Sequence, residues 1–302
     1  MTPSSSIDLS VVVPTVDRPS LLARAVRSCF AGSVGPKEVI VVHDAPACVE
    51  RYAVVHEALG AFPVVRVNHE TNKGPSEARN TGWRMARAGW VYFLDDDDYV
   101  LPEGMATIAR SLDAREQDVS VLAFGSRVYR GDGFQDELPG GIMQKYGIPF
   151  WAELGTLVIA KRCLEEVGGF DPQIKLGENR DLMARLAARF PVQHVDEPIV
   201  CLDYNHADPR QSEIEGAVEA NVHLLRKNEA IYRSNPLWWR SAHLYPACHA
   251  ARRGELAMSM KLYGKWARSS GRPIDPRFVG AVASSALARL REVFRPRSRQ
   301  LR

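Results

Sequence analysis

Short runs of β-branched and aromatic residues alternate with longer stretches of helical spacing through the first 130 residues. "DLSVVVPTV" (8–16), "KEVIVVHDA" (37–45), "FPVVRVN" (62–68), "WVYFL" (90–94) and "DVSVLAFGSRVYR" (118–130) are the apolar runs. Bounded by polar and turn residues, such runs predict buried strands. Between them, "RPSLLARAVRSCF" places Leu21, Leu22, Ala25, Val26, Cys29 and Phe30 on one helical face. "CVERYAVVHEAL", "GPSEARNTGWRMARAG" and "PEGMATIARSLDA" also predict helices, the second opened by Gly-Pro with proline near the first turn. Strand and helix in strict alternation predict a mainly parallel α/β sheet of right-handed units flanked by helices.

After residue 130 the rhythm changes. "RGDGFQDELPGG" has the composition of a loop. "TLVIA" and "VQHVDEPIVCLDYN" read as β structure, and "ENRDLMARLAARF" as an amphipathic helix. From about residue 213 the pattern is helical, with breaks at Pro236 and near 271–276. "HLYPACHAARRGELAMSMKLYGKWARSSG" alternates small and large residues, as in a packed helical hairpin. These patterns predict an α/β domain over 1–212 and a helical C-terminal region over 213–302.

Composition narrows the class. The chain has 302 residues, 45% hydrophobic and 25% charged, enough for a full core. A net charge of +3 gives no argument for a nucleic-acid partner. Five scattered cysteines without a CxxC pair suit a reducing compartment. "MTPSSSIDLS" has neither the basic nor the apolar stretch of a signal peptide, and no run approaches a membrane span, so a cytoplasmic location is expected. The last fifteen residues carry six arginines and one glutamate, with Leu290, Val293 and Phe294 between them, which fits a peripheral contact with an anionic membrane face.

The chemistry concentrates at strand ends. "WVYFLDDDDYVLP" runs a buried strand into Asp95, Asp96, Asp97 and Asp98. Neighbouring carboxylates repel by roughly 0.7 kcal/mol per pair at ~6 Å in water. A solvated acidic loop tolerates that; a divalent cation, which prefers carboxylate oxygens, exploits it. Pro14, Thr15, His43 and Asp44 also fall at strand ends, and open α/β sheets bind ligands along that edge. The shared edge favours a metal or phosphate site.

The ordered segments "SVVVPTVDRPSLLARAVRS", "EVIVVHDA", "NHETNKGPSEARNTGWRMARAGWVYFLDDDDYVLPEGM", "LEEVGGFDP", "GENRDLMARL" and "DYNHADPRQS" resemble the family 2 glycosyltransferases of GT-A fold over roughly residues 8–212. The resemblance implies a nucleoside diphosphate sugar donor, Mg2+ or Mn2+, an acceptor hydroxyl (on a saccharide, a lipid-linked sugar or a protein) and inversion at the anomeric carbon. It places the family's Asp-x-Asp motif on Asp95–Asp97, with Asp97 as metal ligand, Asp95 or Asp96 near ribose or metal, and Asp98 structural. It sets Pro14, Thr15 and Asp44 around the base, Asp44 suiting the imide of uracil, with His43 standing where a paired acid is common. Arg79 reaches base or phosphate, and His206 completes the metal sphere. It places the catalytic base in "GENRD", where Asn179 replaces the usual aspartate. Asparagine cannot take a proton, which leaves Glu178, directly in the motif, or Asp181.

Two rival readings remain at the level of sequence. Asp96-x-Asp98-x-Val100 matches the nucleophile signature of haloacid-dehalogenase-type phosphatases, although that motif belongs after a first strand and this one follows the fourth. Asn179 also suits a relative that binds sugar nucleotide without turnover.

Overall fold

The computed structural model describes residues 3–45, 59–131, 133–138, 153–204, 216–270 and 274–293. They fall into two compact units, one of the described residues up to 204 and the other of those from 216 onward.

Among the described residues the first unit is a nine-stranded mixed sheet, most of it parallel around its first strand. β1 (Ser5–Thr15) lies between β2 (Val34–His43) and β4 (Trp90–Phe93), parallel to both, and β3 (Val64–Asn68) adds parallel to β2. Leu9, Val11, Val12 and Val13 are all fully buried, so β1 is covered on both faces. That is why its sequence is a continuous apolar run rather than an alternation. Helix α1 (Pro19–Ser28) buries Leu22, Ala25 and Val26 on its sheet-facing side.

Helix α2 (Pro75–Met85) starts with Gly74 at φ 85° and Pro75 in its first turn. It packs very close to β1: a Cβ added at Gly82 would lie 2.2 Å from Val12 Cγ1. This close seat fixes the height at which α2 presents Arg79 and Asn80, both buried.

Beyond β4 the parallel order ends. β5 (Tyr99–Val100), α3 (Gly104–Ala114), β6 (Val121–Arg130), β7 (Gly133–Leu138), a 3-10 turn (Leu154–Thr156) and β8 (Leu157–Ala160) follow. β8 inserts antiparallel between β4 and β6. α4 (Lys161–Val167) and α5 (Glu178–Ala187) lead to β9 (Val192–Asp203), which runs parallel to β6 and antiparallel to β5.

Two sequence expectations are corrected here. The loop-like "RGDGFQDELPGG" holds β7, paired antiparallel to β6 with Ser126 opposite Leu138. Its strand character comes from backbone pairing, which a polar segment can supply without a hydrophobic face. β6, expected to continue the parallel series, is separated from β4 by the antiparallel β8. The helix expected over "CVERYAVVHEAL" lies mostly outside the described residues.

The second unit contains α6 (Ala217–Lys227), α7 (Glu229–Arg233), α8 (Pro236–Arg252), α9 (Leu256–Ser270) and α10 (Pro276–Val293). α8 and α9 form the expected hairpin. Ala247, Cys248, Ala250 and Ala251 are fully buried, and Ser259 donates across to the Ala247 carbonyl at 3.0 Å. Small residues on α8 thus let the helices approach. Tyr263 stacks on Phe278 with centroids 3.7 Å apart and accepts the Asp275 amide at 2.7 Å, which ties down the start of α10. No helix among the described residues is long and apolar enough to cross a membrane.

Candidate active site

The ends of β1, β2 and β4 lie side by side because the strands are parallel and in register, with Thr15 opposite His43 and Val12 opposite Phe93. The chain leaving β4 turns tightly, the Asp98 amide donating to the Asp95 carbonyl at 3.1 Å. This turn sorts the four carboxylates. Asp95, Asp97 and Asp98 each bring one oxygen into a set whose members lie within 4.8 Å of one another. Asp96 points elsewhere, accepting from Thr15 Oγ1 at 2.6 Å and from Arg18 Nη1 at 3.3 Å.

Three carboxylate oxygens so close form a donor set for a hard divalent cation. Asp98 combines two roles: its Oδ1 accepts the Asp203 amide at 3.0 Å, linking the turn to the end of β9, while its carboxylate belongs to the set. Burial pushes its pKa well above the usual carboxylate range, and Asp95 and Asp97 add to the rise. Burial likewise raises Asp96 to about 7, against the opposing pull of Thr15 and Arg18. Charge so compressed favours a cation.

The chain's own cations gather around the run. Arg18, in the β1–α1 connection, bonds Asp97 Oδ2 at 2.8 Å with the same Nη1 that reaches Asp96. Arg24, one turn into α1, holds the Asp97 carbonyl and donates to Asp203 Oδ2 at 2.6 Å. Arg79 comes from α2 and is 5% exposed. Its Nη2 donates to Asp95 Oδ1 at 2.7 Å and its Nη1 to Glu178 Oε1 at 3.0 Å. Burial pulls the Arg79 pKa down, but the two carboxylates outweigh it and the net shift is upward. Arg79 therefore joins the acidic run to the first residue of α5.

Glu178 is 2% exposed and stands in this relay. Asp181, 1% exposed, meets a different arginine: its Oδ2 accepts from Arg185 Nε at 2.9 Å and Nη2 at 2.7 Å, one turn along the helix. Asn179 Oδ1 is buried and has no hydrogen bond among the described residues. At the end of β2, Asp44 accepts from His69 Nδ1 at 2.7 Å and from the Lys73 and Gly74 amides at 2.8 Å each. It thereby fastens the approach to α2, and three donors leave a carboxylate about one acceptor site. Pro14 lies beside Thr15 at the end of β1, paired across to Val42. His206 lies outside the described residues.

Sequence reasoning missed Arg18, Arg24, Asp203 and His69. For Arg18 a signal was present, since "TVDRP" places it three residues beyond Thr15 at a strand end. Arg24 carried none, because an arginine on an amphipathic helix reads as solvated charge.

A mixed, mostly parallel sheet flanked by helices, with an aspartate cluster where β4 ends, defines the GT-A class of fold. The chain belongs to glycosyl transferase family 2, whose family model matches residues 10–170. An uncharacterised glycosyltransferase of Haemophilus influenzae is 37% identical over 95 residues, 32% of this chain and 31% of that relative. The chain thus matches less than a third of that relative's length. Among solved structures, TarS residues 1–349 from S. aureus in complex with UDP-GlcNAc superposes with a TM-score of 0.61 at 18% identity, covering 93% of this chain and 92% of that one. A mannosyltransferase of Pyrobaculum calidifontis in complex with GDP-Man and Mn2+ gives 0.53 at 17% identity over 95% and 87%. Family membership removes the phosphatase reading of Asp96 and Asp98.

Proposed function

We propose that the protein transfers one sugar from a nucleoside diphosphate sugar, a UDP-sugar in particular, to an acceptor hydroxyl with inversion of the anomeric centre. The observation that carries this reading is the aspartate set joined through Arg79 to Glu178. Asp95, Asp97 and Asp98 would hold Mg2+ or Mn2+, with His206 as a further ligand. Bound there, the cation supplies Lewis-acid neutralisation of the departing diphosphate. The solved relatives in this fold bind UDP-GlcNAc in one case and GDP-Man with Mn2+ in the other, which supports a nucleotide-sugar donor and a divalent ion.

The chain's own residues take the remaining tasks. Pro14 and Thr15 wall the base at the end of β1, and the remaining acceptor site of Asp44 suits the imide N–H of uracil. Asp95 or Asp96 borders the ribose, and Arg79 neutralises charge beside the diphosphate. Glu178 takes the proton of the acceptor hydroxyl as it attacks. Asp181 acts through Arg185 to hold α5 in place. The acceptor belongs to a saccharide, lipid-linked or protein substrate. A succinoglycan biosynthesis protein of Rhizobium meliloti, 32% identical over 117 residues, favours a saccharide. The arginine-rich C-terminal residues fit a peripheral contact with the inner face of an anionic membrane. The α/β domain is proposed to span 1–212 and the helical region 213–302.

The deciding experiment incubates purified protein with a panel of UDP- and GDP-sugars and Mn2+ or Mg2+, with and without chelator, and follows release of nucleoside diphosphate. A UDP-sugar should be consumed only with metal, and Asp97→Ala should abolish metal-dependent donor binding with the fold intact. Unchanged Mn2+-dependent affinity in that variant overturns the metal assignment, and preference for GDP over UDP overturns the role of Asp44. A second reading rests on Asn179, whose unbonded Oδ1 occupies the motif position of the family's base: donor binding with no turnover on any acceptor favours a non-catalytic relative.

A further inference from the structure

The helical unit contains a site of its own. α6, α7, α8 and α9 enclose an open cleft of about 620 Å³ lined by Leu225, Arg226, Glu229, Arg233, Trp239, Lys265 and Arg268. Four cations thus share it with one carboxylate. Sites for small organic ligands fall at roughly 300–1,000 Å³.

Arg233 is held in place. Its Nε donates to Glu229 Oε1 at 2.7 Å, and its guanidinium lies 4.2 Å over the Trp239 ring. Trp239 is held in turn by the buried His243, whose ring meets it edge to face at 4.2 Å and whose Nδ1 donates to the Trp239 carbonyl at 2.9 Å. Glu229 takes only Nε, so the two terminal nitrogens of Arg233 bond to nothing among the described residues. Those nitrogens are the fork that pairs with two oxygens of an anion.

The other three cations have no acid partner among the described residues. Sequence explains why: four residues before Arg226, Lys265 and Arg268 stand Val222, Lys261 and Gly264, so no helical i,i+4 carboxylate relieves them. Elsewhere in the unit, Arg253 pairs with Glu255 at 3.2 Å and Arg277 with Asp275 at 2.7 Å. Unit charges ~8 Å apart repel by roughly 0.5 kcal/mol per pair in water, and an anion between them reverses the sign. The positive field reaches inward: burial lowers the His243 pKa, and Lys265 and Arg233 add to that against the Trp239 carbonyl.

We propose that this cleft binds a phosphate-bearing group, a phosphate or diphosphate ester. Three arginines and a lysine against one glutamate favour an anion of at least two charges, and planar guanidinium forks fit phosphate oxygens. Leu225 and the edge of Trp239 offer an apolar wall to the organic part. The group's source is either a soluble phosphoester or a membrane headgroup, and the chemistry of recognition is the same for both. The proposal uses residues of the helical unit only and stands whether or not the donor reading holds.

Calorimetry of the full chain with inorganic pyrophosphate, in chelator, tests the first source. Sedimentation with phosphatidylglycerol vesicles against phosphatidylcholine vesicles tests the second. Arg226→Ala combined with Lys265→Ala, and separately Arg268→Glu, should weaken binding about tenfold or more, the scale of a lost charge-assisted contact. Arg87→Ala, which removes an exposed cation from the other unit, should leave it within about twofold. All these side chains are solvent-facing, and matched thermal melts check that the variants fold. Pyrophosphate binding with this pattern assigns a soluble phosphoester, and vesicle binding with this pattern assigns a headgroup. No binding in either arm, or equal losses in the cleft variants and Arg87→Ala, overturns the proposal.

Discussion

Neighbouring carboxylates in this chain have different tasks because the backbone aims them at different partners. Glu178 faces Arg79 and, through it, Asp95; Asp181, three residues on, faces Arg185. Glu178→Gln keeps the acceptor for Arg79 but loses proton affinity. It should spare donor binding and cut turnover by roughly 10²–10⁴-fold. Asp181→Asn should instead lower the melting temperature, by about 1–3 kcal/mol of stability, because it leaves Arg185 without its anion, while turnover changes little. Single-turnover kinetics and melts on both variants separate the roles, and the reverse pattern would make Asp181 the base. Asp96 titrates unusually. Between the ordinary 3.8 and about 7, the folded protein keeps its proton and the unfolded chain has lost it. The folded state binds more protons there, so stability falls as pH rises through that window. In chelator, Asp96→Asn should gain on the wild type between pH 5 and 8, by up to about 3 kcal/mol. A difference in melting temperature that stays constant with pH would contradict this. The aspartates and Glu178 were legible in the sequence because each motif is local. The position of Arg18 at a strand end was legible too, but not its partner 78 residues away; Arg24, whose partner lies 179 residues away, left no mark at all.

Elements were legible where burial imposed a pattern. β1, β2 and β4 are covered on both faces and announce themselves as apolar runs; β7 is held by backbone pairing to β6 and leaves no such mark. Strand direction is less visible still. "TLVIA" reads as a strand, but nothing in it shows that β8 runs antiparallel between β4 and β6. The seat of α2 on β1 was also hidden, since a helical glycine reads as a weak point rather than a contact. Gly82→Ala tests that seat. Its Cβ would lie 2.2 Å from Val12 Cγ1, within a side chain that has no flexible end to move away. The helix must shift, at a cost of about 1–3 kcal/mol, despite alanine's better helix propensity. Because Arg79 stands three residues earlier on the same helix, the shift should also weaken donor affinity. A melt equal to wild type would show that the helix accommodates the methyl group.

At the scale of the whole chain, the hairpin of α8 and α9 could be read from alternating small and large residues, because small side chains are what close helix packing requires. The basic cleft could not: its lining comes from four helices, and only the fold brings Arg226, Arg233, Lys265 and Arg268 around one space. Charge density at the end of the chain is different, being visible in sequence alone. Arg295, Arg297, Arg299 and Arg302 follow Val293 within nine residues, and Arg289 and Arg291 precede it. Each basic residue near an anionic surface contributes ~1 kcal/mol, so removing four should reduce membrane affinity by at least about tenfold even when most of that attraction is screened. Full-length protein and a chain ending at Val293 should therefore separate in sedimentation with phosphatidylglycerol vesicles, and the difference should shrink as salt rises. The arginine-rich end and the cleft can be told apart in that assay. Loss on truncation is expected from diffuse attraction and should scale with the vesicles' charge density, whereas loss in Arg268→Glu comes from one seat for one group and should saturate. Equal sedimentation of the two lengths at low salt would mean that the terminal arginines contribute nothing to membrane contact.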